Sequence, residues 1–407
     1  MSKKAFKIFV FVGILSILSL MGAEGAEVGV TDSTIKIGGI MLITGPIAQY
    51  GTAAADGIII YCKYINDMGG INGRKIDLIM EDDGYDPVRS LAAAKKLVER
   101  DKVFAVITTS GTPQTAQIVP YLGRENVPSL SGIIPQMPVA DPPRTAFTFG
   151  MRYGHQMVLA TDYIMKDLGA KSPKMAILYQ NDEYGKEVKW GAMEACKRYG
   201  LQVVAEETYK RGAVDFSSQV LNLKRANPDY VYLATVMRET PIVFKEAKKL
   251  GWAPVCIGNS GYCNDTIIEL SSRDTPEVLK NMIQVHYIAA FFEENPEVAQ
   301  MKAAFKKIRP DIDASKHLHF HTLGWINGMI FCEALKKAGK DLTREGLIKA
   351  MESLSNFNTG GLAGVIDFGP DRHFADTSGR IFKADLGKKT WAPITNWRKP
   401  SFKPSIQ

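Results

Sequence analysis

The sequence predicts an α/β protein of two doubly wound lobes, each built on a parallel sheet, and three observations predict it. Short, continuously apolar segments such as Val103 to Ile107 alternate with amphipathic stretches of helical period, as strands covered on both faces require. The alternation runs through one series and restarts after about residue 150 with a second series of similar length. The chain has 407 residues, 45% of them hydrophobic, which exceeds what one core of ~250–300 residues accommodates.

The elements follow in order. Lys3, Lys4 and Lys7 precede an apolar run from Ile8 to Met21, and small residues follow at Ala23, Gly25 and Ala26. This is the order of a secretory signal peptide, residues 1–25, and the run is shorter than the ~20 residues that span a bilayer. An uncleaved anchor is the alternative. No Cys lies near the cleavage region, so no lipid anchor is expected, and the mature protein is expected outside the cytoplasm.

Ile35 to Ile43 reads as a buried strand ended by Thr44-Gly45-Pro46, and a helix follows through Ile58, Cys62 and Ile65 to Gly69-Gly70. Ile76 to Met80 is the next strand, and Asp86-Pro87 starts a helix striped by Val88, Leu91, Ala94 and Val98. Val103 to Ile107 is a strand, Pro113 opens a helix, and Val127 to Leu130 is a further strand. In the second series, Met157, Ala160, Ile164 and Leu168 stripe a helix. The strand Met175 to Tyr179 follows, then a helix with Val188, Ala192, Ala195 and Tyr199. Strands at Gln202–Val204, Tyr230–Ala234 and Val255–Ile257 alternate with helices at about 216–226 and 241–250.

Charge and cysteine usage narrow the function. The net charge is +7, and the Lys pairs are scattered over amphipathic segments, which reads as solvated surface rather than a nucleic-acid patch. The five Cys include no C-x-x-C pair. Cys256 and Cys263 are closest in sequence and are the candidate bridge, and an odd count leaves at least one thiol unpaired.

In open parallel sheets, ligands bind beyond the carboxyl ends of strands. Thr108-Thr109-Ser110-Gly111-Thr112-Pro113 is the best such place: hydroxyls cluster, Gly111 allows close approach, and Pro113 suits a first helical position. N–H groups there would face a carboxylate, with Thr112 capping the helix in either case. Gln180 to Gly185 and Gly258 to Tyr262 are further strand ends of this kind. Gly258-Asn259-Ser260-Gly261 lacks the final Gly of a nucleophile elbow, and no His is placed by motif to serve Ser260. Dinucleotide and phosphate loops are absent, so no cofactor is expected and an enzyme is disfavoured. His317, His319 and His321 would share a face on a strand, but they run into a helix that fans them apart, so no metal site is assigned.

Several segments resemble the leucine/isoleucine/valine-binding proteins. They are Ile35-Lys36-Ile37-Gly38, Leu42 to Gly51, Ile65 to Lys75, Glu81-Asp82-Asp83, Lys96-Leu97-Val98, Tyr184-Gly185, Asp215-Phe216-Ser217 and Asn227-Pro228-Asp229-Tyr230. They stand in family order over nearly all of the mature chain. The resemblance implies a type I periplasmic binding fold: two doubly wound parallel-sheet lobes joined by a three-strand hinge, with the ligand held between them. It implies a first lobe of 26–148 and 284–356, and a second of 149–283 and 357–407. It also implies a periplasmic monomer that binds a small carboxylate and delivers it to an ABC permease and ATPase, and it implies no nucleic-acid partner.

On the matching motifs, Tyr50 and Ser110 correspond to first-lobe ligand contacts and Tyr184 to a second-lobe wall, while Gly111 and Thr112 are candidate contacts from the strand end itself. The segment Leu130 to Pro135, which contributes Ile133, lacks the family Thr that helps bind the carboxylate. Ser260 falls where the family has an acid for the ligand's ammonium. Either Glu239 or Asp182 substitutes, or the ligand has no ammonium. Arg152 and Arg238 are further candidates to hold a carboxylate. A secreted enzyme on the same fold class and a sensory ligand-binding protein are the competing readings.

Overall fold

The computed structural model describes residues 27–45, 47–132, 134, 142–261, 265–312 and 318–403. The leader 1–25, Ile133, Cys263 and His317 lie outside the described residues. Among the described residues, no helix is long and apolar enough to cross a membrane.

The first series forms β1 (Thr34–Met41), α1 (Ala48–Asp67), β2 (Lys75–Asp82), α2 (Pro87–Lys95), β3 (Ala105–Thr108), α3 (Thr112–Arg124), β4 (Ser129–Ser131) and β5 (Ala146–Gly150). Helix α2 starts as its sequence requires: Asp86 Oδ1 accepts from the N–H of Val88 at 2.7 Å and of Arg89 at 3.2 Å, and Pro87 occupies the first turn. Helix α3 differs from expectation. Gly111, not Thr112, is its cap residue, Thr112 is already helical, and no side chain caps it.

The second series forms α4 (Tyr153–Asp162), β6 (Met175–Gln180), α5 (Glu183–Tyr199), β7 (Val203–Tyr209), α6 (Ser217–Ala226), β8 (Tyr230–Ala234), α7 (Glu239–Lys249), β9 (Val255–Gly258), α8 (Asp265–Ser271), α9 (Pro276–Asn281) and β10 (Ile283–His286). The chain then adds α10 (Pro296–Ile308), α11 (Leu318–Ala338) and α12 (Arg344–Glu352). It ends with β11 (Phe374–Asp376), β12 (Arg380–Asp385) and β13 (Thr390–Pro393).

Two sheets result. The first is entirely parallel in the order β2-β1-β3-β4-β5-β11. The second runs β7-β6-β8-β9-β10 in parallel and closes with antiparallel β12 and β13. Both are doubly wound α/β sheets with the order reversing beside their first strand. The last passage between sheets follows Asp376, because β11 pairs with β5; β10 likewise belongs to the second sheet.

The central strands are buried throughout: β3 and β6 expose no residue. Helix α1 packs against α11, where a Cβ added at Gly324 would lie 1.9 Å from the Ala54 carbonyl oxygen, so only glycine lets the two backbones meet. His319 and His321 sit within α11 rather than on a strand. Both are buried, and burial pushes the His319 imidazole down to about 3. Cys256 has a free thiol buried in β9.

Candidate ligand-binding cleft

The order reversals place a crevice at the carboxyl ends of both sheets, and a single cleft collects those ends. From the first half come Ile47 and Tyr50 after β1, Tyr85 after β2, Gly111 and Thr112 after β3, and Ile134 after β4. From the second come Tyr153 at the start of α4, Tyr184 after β6, Val236 after β8 and Gly261 after β9. No ionised side chain is among these lining residues.

Four tyrosines dominate the walls, each fixed differently. Tyr50, in the first turn of α1, packs its ring against Phe320 of α11, with centroids 3.8 Å apart. Tyr153 meets Tyr184 edge to face at 4.9 Å. The Tyr184 hydroxyl lies 3.0 Å from the Thr235 carbonyl and 3.1 Å from Asn259 Oδ1. Tyr85 is held in the left-handed region, φ 64°, and its N–H donates to Asp83 Oδ1 at 3.0 Å. A bulky residue there is strained unless its surroundings compel it.

Burial raises the phenols of Tyr50, Tyr153 and Tyr184 well above their ordinary value, and pushes that of Tyr85 up to about 12. All four stay neutral at physiological pH and combine a hydroxyl with an apolar face, though the Tyr184 hydroxyl is already engaged. Beside them, the first turn of α3 presents backbone N–H groups with no intrahelical acceptor, at the positive end of that helix. This wall suits a carboxylate on a small apolar body.

Charge stands one layer out. Arg211 Nη2 pairs with Asp182 Oδ2 at 3.2 Å, and its guanidinium lies 4.7 Å over the Tyr85 ring of the other half. Arg211 Nη1 also reaches the Tyr85 carbonyl at 3.4 Å. Glu239, at the start of α7, is buried, and burial raises its carboxyl above the usual range. Its Oε2 has no hydrogen-bond partner among the described residues.

The structure brings Tyr50, Gly111, Thr112 and Tyr184 to the cleft. The Ser110 hydroxyl instead bonds the buried carboxylate of Asp83, which Ser90 Oγ also reaches at 2.7 Å. Ser260 is clamped by Gln156, whose Nε2 donates to Ser260 Oγ at 2.9 Å while Oε1 accepts from the Ser260 N–H at 2.8 Å. It is Gly261 that faces the cleft from that loop. Arg238 donates to the Gly212 carbonyl at 2.9 Å, and Arg152 makes a two-point pair with Glu187, both oxygens at 3.0 Å. Neither Arg lines the cleft. Sequence reasoning passed over Tyr85, Tyr153 and Arg211. The strand-end rule would have reached Tyr85, four residues from the Asp82-Asp83 motif's start at Glu81 and directly before Asp86-Pro87.

Comparison with known proteins agrees with this architecture. The periplasmic binding protein family model matches residues 34–390. The leucine-, isoleucine-, valine-, threonine- and alanine-binding protein of Pseudomonas aeruginosa is 25% identical over 288 residues, 70% of this chain and 74% of that one. The Leu/Ile/Val-binding protein of Escherichia coli K12 is 26% identical over 267 residues, 62% of this chain and 69% of its own. A valine-bound branched-chain amino-acid ABC transporter structure from Thermus thermophilus aligns with TM-score 0.80 at 22% identity, covering 92% of this chain and 98% of that one. A fatty acid ABC transporter substrate-binding protein from Thermomonospora curvata aligns with TM-score 0.80 at 23% identity, covering 92% and 95%. With two doubly wound sheets, a cleft at their carboxyl ends and these relatives, the chain belongs to the Leu/Ile/Val-binding family of type I periplasmic binding proteins.

Proposed function

We propose that the protein is the periplasmic receptor of an ABC importer, exported by its leader 1–25, and that it binds a small amphiphilic carboxylate between its lobes. The observation that carries this is a cleft of four tyrosines and three aliphatic side chains, Ile47, Ile134 and Val236, with no ionised group on its lining among the described residues. The family membership and the amino-acid and fatty-acid names of similar proteins support the ligand class. The receptor works as a monomer beside a permease and ATPase, and it does no chemistry on its ligand.

Within that class, acids without an α-amino group bind better than the matching amino acids. An ammonium enclosed here gives up water and meets only hydroxyls, and an unpaired buried charge costs at least ~3 kcal/mol. Glu239 is the buried carboxyl nearest in role, and burial disfavours its charged form. Two calorimetric titrations test this: leucine against 4-methylpentanoate, and phenylalanine against 3-phenylpropanoate. The deaminated acid is expected to bind at least about tenfold tighter in the better-fitting pair, about 1.4 kcal/mol. A clear win for the amino acid in either pair overturns the preference and makes Glu239→Gln the next variant, while no binding of any of the four overturns the ligand class.

A further inference from the structure

Helices α1 and α11 carry the Tyr50 wall of the cleft, and their backbones touch through glycines. A Cβ at Gly57 would lie 2.7 Å from the Trp325 nitrogen, and one at Gly328 would lie 2.8 Å from the Tyr61 Cβ. The contacts advance in the same direction along both helices, from Ala54 with Gly324 to Tyr61 with Gly328. A residue further on α1 and a turn further on α11, the next pair is Cys62 with Cys332. Both are buried, at 7% and 0% exposure, and both thiols are reduced in this structure. Cys62 is the neighbour that most raises the Cys332 thiol, and Cys332 in turn raises the Tyr61 phenol, as side chains adjoining along this helix contact would. Disulfides need Cβ atoms ~3.5–4.5 Å apart, a spacing that helices in backbone contact readily provide.

We propose that Cys62 and Cys332 form a disulfide in the mature protein. The proposal rests on export for its oxidising compartment. Each thiol gives up its proton and the Sγ–Sγ bond forms, while the two electrons reduce the disulfide of a thiol–disulfide oxidant, such as oxidised glutathione or a protein oxidase, to two thiols. The neighbouring Cys62 sulfur and then burial hold the Cys332 thiol well above its ordinary value, so the thiolate is scarce in the folded chain and the bond forms during folding. The bridge closes the loop from residue 62 to residue 332 and fixes the register of the helices whose Tyr50 and Phe320 stack at the cleft. It ties the pocket wall to redox state without touching the ligand. The buried Cys196 and Cys256 stay reduced.

The precursor is expressed with its own leader, and the periplasmic fraction is alkylated with N-ethylmaleimide before denaturation and proteolysis. A linked pair of peptides holding Cys62 and Cys332 is expected, lost on dithiothreitol treatment and absent from Cys332→Ser. Reduction is expected to lower the melting temperature by about 5 °C. Alkylation of all five cysteines, or linkage only between other cysteines, overturns the proposal. If the chain stays in the cytoplasm, export fails as a reading and the pair is tested separately. Reduced, denatured wild-type chain is refolded in a glutathione redox buffer, and native circular dichroism without the linked peptides overturns the proposal there too. The wild-type readout stands whether or not Cys332→Ser folds, and Cys62→Ala gives a second control.

Discussion

Tyr50 and Tyr184 stand on opposite walls of the cleft and use their hydroxyls differently. The Tyr50 hydroxyl has no partner among the described residues, whereas that of Tyr184 reaches the Thr235 carbonyl and Asn259. Tyr50→Phe is therefore expected to leave the melting temperature nearly unchanged and to weaken binding of a carboxylate ligand by about 1.5–3 kcal/mol. Tyr184→Phe removes the hydroxyl from the buried Thr235 carbonyl, while Asn259 Oδ1 keeps the Gly261 N–H, and is expected to cost about 1–3 kcal/mol of stability as well. Calorimetry and thermal unfolding of the two variants check the contrast, and equal stability losses would sink it. Ser110 changes meaning at this scale. A strand-end hydroxyl reads in sequence as a ligand contact, but this one bonds the buried Asp83, which also holds the N–H of the strained Tyr85. Such a partner lies 27 residues away and no local pattern announces it.

At the scale of elements, a continuous apolar run such as β3 or β6, buried on both faces, reads plainly, and the half-exposed β2 and β7 were also read, whereas β5 and β10 were missed although fully buried. Strands β11, β12 and β13 escaped because they are short and partly exposed, and because their pairing is decided by distant strands. Asp265, the first residue of α8, is one tie that secures this late part of the chain. Its Oδ1 accepts from Thr390 Oγ1 at 2.7 Å and from the Trp391 N–H at 3.2 Å in β13. Burial raises its carboxyl to about 6 in spite of those bonds. With the folded value above the unfolded one, this group's contribution is full below about pH 4 and is lost as pH rises through about 6. Asp265→Asn keeps an acceptor and removes the charge. The variant is expected to gain on wild type by up to about 3 kcal/mol between pH 4 and pH 7, since each pKa unit is ~1.4 kcal/mol. Denaturant unfolding at both pH values measures this, and a pH-independent difference would contradict it. In the same way, α1 and α11 depend on glycine where they cross. Gly324→Ala is expected to cost about 1–3 kcal/mol or more, because the added methyl meets backbone that has no rotamer with which to yield.

For the whole molecule, two doubly wound lobes were legible because the alternation of strand and helix restarts, and the cleft was legible because strand ends are where such sheets bind. What was not legible is how the halves meet. Arg211 lies in the turn after β7, in a stretch with no motif, yet its side chain reaches across the cleft. Asp182 aims the guanidinium, the Tyr85 ring lies 4.7 Å beneath it, and the Tyr85 carbonyl accepts from Nη1 at 3.4 Å. The left-handed Tyr85 thus serves two sides at once, lining the cleft and receiving the opposite half. A hinge that closes on ligand follows, because only the closed arrangement offers contacts from both halves. Small-angle scattering is expected to show a smaller radius of gyration at ligand saturation, and superimposable curves would contradict the hinge. Arg211→Ala tests the latch itself. A cation over an aromatic ring is worth ~0.5–2 kcal/mol depending on its desolvation, and Arg211 is about a third exposed, so the lower half of that range applies. The variant should fold normally, since neither sheet core contains this side chain, and should release ligand roughly two- to fivefold faster with little change in association. Stopped-flow displacement reads both rates. A release rate equal to wild type would show that closure is carried by the ligand alone, and the Arg211–Tyr85 contact would then be only a consequence of the halves being near.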